Sequence, residues 1–279
     1  MKYGGLRKGP ALLLTAALLA AQASARAQAG GVAKEEETAA RAAAAAFAER
    51  LQATQDFAAV VPELFAADFM SRRLRGESEG AKGDGAATFM LEGVPALTFE
   101  RALAEKAGVE DWTRLYVAAA NTMHFVFQSL LSRASLEELS DPGRYDPRKL
   151  FEVFPPEAVR LLDKNPALAN FLTRRHAEVT IKTSEELREA AATLEEVVRL
   201  SRPRLEGLLA RGAHLGANLR LMREASGRDE VTATLRAAEE LGYPRGTRLY
   251  RVFAPNGYML TLVKSGGAFR VVWATLPHD

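Results

Sequence analysis

LYRVFAPNGYMLTLVKSGGAFRVVWAT, residues 249–275, is the stretch that separates this chain from an all-helical protein. Three runs, 249–253, 258–264 and 269–275, are rich in Val, Leu and aromatic residues. Pro255-Asn256-Gly257 and Ser265-Gly266-Gly267 lie between them. Runs of β-formers broken by glycine-bearing turns predict an antiparallel meander. Within the middle run Tyr258, Leu260 and Leu262 fall on one face, and Met259, Thr261 and Val263 on the other. Both faces are partly apolar, so the sheet is expected to meet helices on one side and further structure on the other.

Upstream of the meander the pattern is helical, and the expected fold class is α+β, predominantly helical with a C-terminal antiparallel β-meander. Residues 34–55 form an Ala-rich helix opened by Glu35, Glu36 and Glu37, with Phe47 and Leu51 as its large apolar ridge. A more apolar segment at 60–69 follows. GESEGAKGDGAA, residues 76–87, reads as a flexible loop, with Asp84 as a turn residue. Residues 112–132 carry the strongest apolar face. Another helix starts at Pro155-Pro156-Glu157, and Asn165-Pro166 breaks the chain before a further helix to about Arg174. Residues 176–181 alternate like a short strand. Thr183 and Glu186 form a capping box for a helix that Pro203 kinks or ends, with helix resuming from Arg204 to Glu224. A last helix is expected over 229–241, stopped by Gly242-Tyr243-Pro244.

The first residues have the order of a secretory signal. Lys2, Arg7 and Lys8 precede an uncharged Ala- and Leu-rich run at 11–21, and small residues follow. A cut after Ala25, Ala27 or Ala29 is expected, which makes 1–29 a signal peptide and 30–279 a single α+β domain with its loop near 76–87. The apolar run falls short of the roughly 20 residues of a membrane span, so no transmembrane anchor is expected after cleavage. The expected destination is the periplasm or the outside of the cell. With no cysteine, lipid attachment at a cysteine, thiolate metal sites, cysteine nucleophiles and CxxC redox chemistry are all excluded. The chain holds 37 basic and 35 acidic residues; loss of Lys2, Arg7, Lys8 and Arg26 leaves 33 against 35, a formal −2. That balance gives no electrostatic footprint for nucleic acid.

Motifs that carry chemistry are scarce. Gly76-Glu77-Ser78-Glu79-Gly80 matches G-x-S-x-G, but neither a strand nor a helix is expected to flank it as a nucleophile elbow requires. The histidines at 124, 176, 214 and 278 have no metal-ligand spacing, and there is no phosphate loop or calcium loop. No metal or cofactor is expected. Two constellations remain. Arg114, Asn121, His124 and Gln128 lie within about 80° on one helix, either lining a pocket with His124 as acid/base and Arg114 holding an anion, or forming a satisfied polar edge. His176 and Glu178 share the polar side of the short strand, as a proton-transfer pair or as solvent-facing residues.

The two ends of the mature chain resemble the nuclear-transport-factor-like, or SnoaL-like, cone fold. The residues that carry the resemblance are AAAAAFAERLQATQDFAAVVPELFAADFM at 42–70 and LYRVFAPNGYMLTLVKSGGAFRVVWA at 249–274, separated by a long, largely helical stretch. The resemblance implies a pocket between a curved sheet and helices, a scaffold used by enzymes and by non-catalytic binders alike. It assigns no active-site residue.

The expected function is that of an exported, non-catalytic protein binding a small molecule or an envelope protein. The rivals are a metal-independent exported enzyme, such as a hydrolase using His124 or His176, and a helical assembly factor. A pocket with His124 beside a carboxylate favours the enzyme, and a large exposed apolar patch favours the assembly factor.

Overall fold

A computed structural model of the chain describes residues 32–80, 86–89, 97–100, 103, 106–134, 152–165, 168, 180–212, 216, 218–220, 231–234 and 237–275. The expected signal peptide, and the helix between 166 and about 174 apart from Leu168, lie outside them.

Helix α1, Lys34–Thr54, carries its three glutamates in the first turn, where the helix dipole favours anions. It buries Ala40, Ala44, Phe47, Ala48 and Leu51. It stops because Gln55 turns left-handed, at φ 51° and ψ 34°, and sends its N–H to the Leu51 carbonyl at 2.8 Å. A non-glycine residue in that region is uncommon. Asp56 then caps α2, Phe57–Leu64, by accepting from the Ala58 N–H at 2.8 Å. The two helices therefore meet at a sharp elbow made of Gln55 and Asp56. The apolar segment expected at 60–69 is divided at Phe65, which bridges to Val271. The Ala66 N–H donates to the Val271 carbonyl at 2.8 Å.

Helix α3, Phe69–Gly80, corrects the expected loop, because the helix runs through residues 76–80. Ser78 thus stands on a helix, not on a turn after a strand, and the elbow geometry is not formed. A strand, β1 (Ala86–Phe89), takes in the last two residues of the expected loop and pairs antiparallel with β2 (Leu97–Glu100). In turn β2 pairs parallel with β3, Thr180–Ile181. Strand β3 falls at the end of the strand expected over 176–181, whereas β1 and β2 were not anticipated, because AATF and LTFE are too short to show a period.

Two long helices form the helical layer. Helix α4, Val109–Arg133, is buried on almost every side, from Trp112 and Leu115 to Leu131. It packs against α6, Ser184–Arg211, which in turn carries α5, Pro156–Lys164. Thr183 caps α6 by accepting from the Glu186 N–H at 3.1 Å, and Glu186 returns a bond to the Lys182 N–H at 2.7 Å. Pro203 does not end α6: the helix continues to Arg211, with Ser201 and Leu205 buried on either side of the proline. Burial of that face outweighs the one backbone bond that the proline removes.

The C-terminal sheet has the order β4-β5-β6-β7, all antiparallel, with β5 Leu249–Phe253, β6 Met259–Ser265 and β7 Ala268–Thr275. The meander is thus as expected, with one strand added. Strand β4, Thr232–Thr234, stands where the first part of the helix over 229–241 was expected, and among the described residues of that stretch α7, Ala237–Glu240, is the helical part. A β-branched run next to a sheet edge gains a full ladder with β5, and local helix propensity yields to that pairing. Gly266 and Gly267, at φ 57° and 83°, make the β6–β7 turn. Two positive φ values in a two-residue loop match the twist of the strands. In β6 Met259, Leu260, Thr261, Leu262 and Val263 are all buried, so both faces are covered. Helix α1 packs on β5 and β7, and its Glu36 accepts from the Tyr250 hydroxyl at 2.9 Å and from Lys264 at 3.3 Å.

Candidate functional site

The two ends of the elbow and the middle of α4 meet at His124. Its Nε2 lies 2.7 Å from Gln55 Oε1, and its Nδ1 lies 2.9 Å from the Tyr258 hydroxyl. Gln55 Nε2 donates to the Gln52 carbonyl at 3.0 Å, which fixes the amide so that Oε1 faces the imidazole. The ring is then protonated on Nε2, and Nδ1 accepts from Tyr258. The bonds run one way, from Tyr258 through His124 and Gln55 to the last turn of α1. The ring is 1% exposed. Burial, with a smaller push from the Arg202 charge, lowers its pKa to about 3.

Asn121, one turn before His124, grips the same elbow. Its Oδ1 accepts from the Phe57 N–H at 2.7 Å and its Nδ2 donates to Asp56 Oδ1 at 2.8 Å. Arg202 on α6 approaches Asp56 Oδ2 at 3.8 Å and lies over the Phe125 ring at 5.5 Å. Around the histidine, Tyr258 meets Phe47, Phe57 and Phe127 edge-on, with centroids 5.7, 5.8 and 5.5 Å away. Such pairs add to what their buried area contributes.

The four residues expected to share a stripe do not share a site. Asn121 and His124 come together through the elbow. Gln128 is buried further along α4, and Arg114 makes a two-pronged pair with Glu195, both bonds 2.6 Å, at 46% and 43% side-chain exposure. His176 and Glu178 lie outside the described residues. The sequence reading missed Gln55, Tyr258 and Arg202. The signals for them are indirect: Gln55 precedes a capping Asp, and Tyr258 follows a Pro-Asn-Gly turn.

A general base needs a free lone pair and a pKa near the working pH. His124 has neither, and the nearby carboxylate, Asp56, is bonded to Asn121 and the Ala58 N–H. What this arrangement does is hold α1, α2, α4 and the β5–β6 hairpin to one another. Among the described residues, no group of three or more His, Asp or Glu side chains is placed to hold a metal ion. Asn121→Ala leaves the buried Phe57 N–H without its acceptor and is expected to lower stability by about 2 kcal/mol. Arg114→Ala removes an exposed pair and should change it by less than about 1 kcal/mol, both read from urea midpoints.

No protein-family model matches this chain, and no curated protein or solved structure is similar enough to it to indicate kinship.

Proposed function

We propose that this chain is an exported, non-catalytic protein that binds a ligand or partner in the cell envelope. The observation that carries the reading is the seat of His124: the ring is 1% exposed, with one nitrogen on Gln55 and the other on Tyr258. That arrangement supports a histidine used for architecture and weighs against the exported-enzyme reading. The N-terminal order of basic, apolar and small residues supports export. No helix among the described residues is long and apolar enough to cross a membrane. Val109 is the one exposed large apolar side chain among them, which gives the assembly-factor reading little support.

Native mass spectrometry of the protein, purified from the envelope fraction of cells that produce it, tests the reading. A small molecule or a protein partner retained at fixed stoichiometry is the expected result. A bare protein would count against it. Turnover of ester or amide substrates that disappears in a folded His124→Gln variant would replace it with the enzyme.

A further inference from the structure

Of the five asparagines in the chain, at 121, 165, 170, 218 and 256, Asn256 is the one followed by glycine. That pair carries a chemistry of its own. The backbone nitrogen of the glycine attacks the side-chain carbonyl carbon of the asparagine. The new N–C bond closes a cyclic imide, and the side-chain nitrogen leaves as ammonia, taking the backbone proton with it. Water then opens the imide at either carbonyl, giving aspartate, or isoaspartate, in which the chain runs through the side chain. Glycine permits the attack because it has no Cβ to obstruct the close approach. Thr122, Phe171 and Leu219 obstruct it after three of the other asparagines, and Pro166 has no N–H to lose.

The fold holds Asn256 and Gly257 where this reaction stalls. The Gly257 N–H donates to the Ala254 carbonyl at 2.9 Å, and the Ala254 N–H donates to the Tyr258 carbonyl at 2.7 Å. Among the described residues Gln55 is the one non-glycine with a positive φ, so Asn256, after Pro255, sits in a type I turn. The attacking nitrogen is thus the donor that closes the turn, and it has to give up that bond to swing onto Asn256 Cγ. Its residue is also wedged in place. A Cβ added to Gly257 would lie 3.0 Å from Phe127 Cζ and 3.2 Å from Leu219 Cδ2. Asn256 itself is 8% exposed, which restricts the water that opens the imide.

We propose that Asn256-Gly257 is a site of spontaneous deamidation, confined to chains in which this turn is unformed, and that the modified chain is less stable than the original. Both products are unfit for the turn. An aspartate places a carboxylate where no described residue bonds to the asparagine amide, so a charge is buried without a partner. An isoaspartate adds a methylene to the backbone between Phe253 and Met259, which pair across the hairpin, and disturbs their register. The residue thus records time spent unfolded, and the record removes slow folders from the native population.

The test holds the mature wild-type chain at one mildly alkaline pH, folded in buffer and unfolded in guanidinium chloride. Mass spectrometry follows the peptide that spans Asn256. The amide-to-acid mass gain should accumulate in the unfolded chain, and at least about tenfold more slowly in the folded one, which reacts only through local opening. Unfolded Gly257→Ala should be modified several-fold more slowly than the unfolded wild type, which identifies the glycine nitrogen as the nucleophile. Wild-type chains partly modified in denaturant are then refolded and exposed to protease. Modified chains should be cleaved at least about fivefold faster than unmodified ones in the same sample. The proposal is overturned if folded and unfolded chains are modified at the same rate, if unfolded Gly257→Ala keeps the wild-type rate, or if modified and unmodified chains resist protease equally. None of these measurements involves a ligand, so they stand apart from the test of the binding function.

Discussion

Gly242→Ala should lower stability by about 3 kcal/mol or more, the sum of overpacking and left-handed backbone strain. Gly242 has φ 70°, and a Cβ built there would lie 1.8 Å from the carbonyl oxygen of Arg72 and 2.6 Å from its carbonyl carbon. The obstacle is backbone of α3, so no side-chain rotation relieves it. Either the turn before β5 or the helix has to move. Arg72 also lies over the Tyr243 ring at 4.7 Å and pairs with Asp68 at 2.5 Å, so displacement would disturb both contacts. Gly246 supplies the control: its φ is 86°, yet nothing lies within 4 Å of an added Cβ. Gly246→Ala therefore carries the backbone term alone, about 1 kcal/mol. Urea midpoints for the two variants separate steric exclusion from conformational strain, and equal losses would show that the α3 contact is not formed in solution.

The second large effect is a loss of stability in mild acid. In the unfolded chain His124 takes its proton at the ordinary 6.5, whereas in the fold burial holds the pKa at about 3. Between those values the unfolded state binds the extra proton, so stability falls as the pH falls. The contribution is complete above pH 6.5 and is lost at up to about 1.4 kcal/mol per unit below it. By pH 5 the loss from this one ring approaches about 2 kcal/mol. Glu36 and Glu196, whose carboxyls are held below their usual range mainly by hydrogen bonds to Tyr250 and to Arg199, lose their contributions only at lower pH. The window from 6.5 to 5 is therefore the histidine's. His124→Gln should flatten the stability profile there relative to the wild type, and the difference cancels the other histidines. Parallel profiles would mean that water reaches the ring.

How far these features could be read from the residues differs by element. The meander was legible because Gly257, Gly266 and Gly267 stand where positive φ is required, between runs of β-formers. The buried α4 and the Thr183 cap of α6 were legible for similar reasons, a sustained period and a local hydrogen-bond pattern. Strand β4 was not, because Thr232 to Thr234 becomes a strand through its pairing with β5, which no local pattern shows. The elbow was half visible. Asp56 before Phe57 is a helix-start signal, but nothing local shows that Gln55 adopts a left-handed conformation or turns its amide toward α4. His124 and Asn121 were singled out from their helix alone. Their partners come from α1, α2 and the sheet, and only those partners show that the pair clamps the structure together.

The bonds from Glu36 to Tyr250 and Lys264 join residues 214 and 228 positions apart in the chain. The first helix and the last strands thus complete one another, and neither has its full set of neighbours until both are present. Contacts of such long separation slow the acquisition of structure, because the intervening chain must be ordered before they form. Until the β5–β6 hairpin is in place, Phe47 has Phe57 and Phe65 beside it but lacks Tyr258, and Glu36 lacks both of its partners. The first helix is therefore expected to stay pliable during folding and to set only when the strands at the other end of the domain close over it.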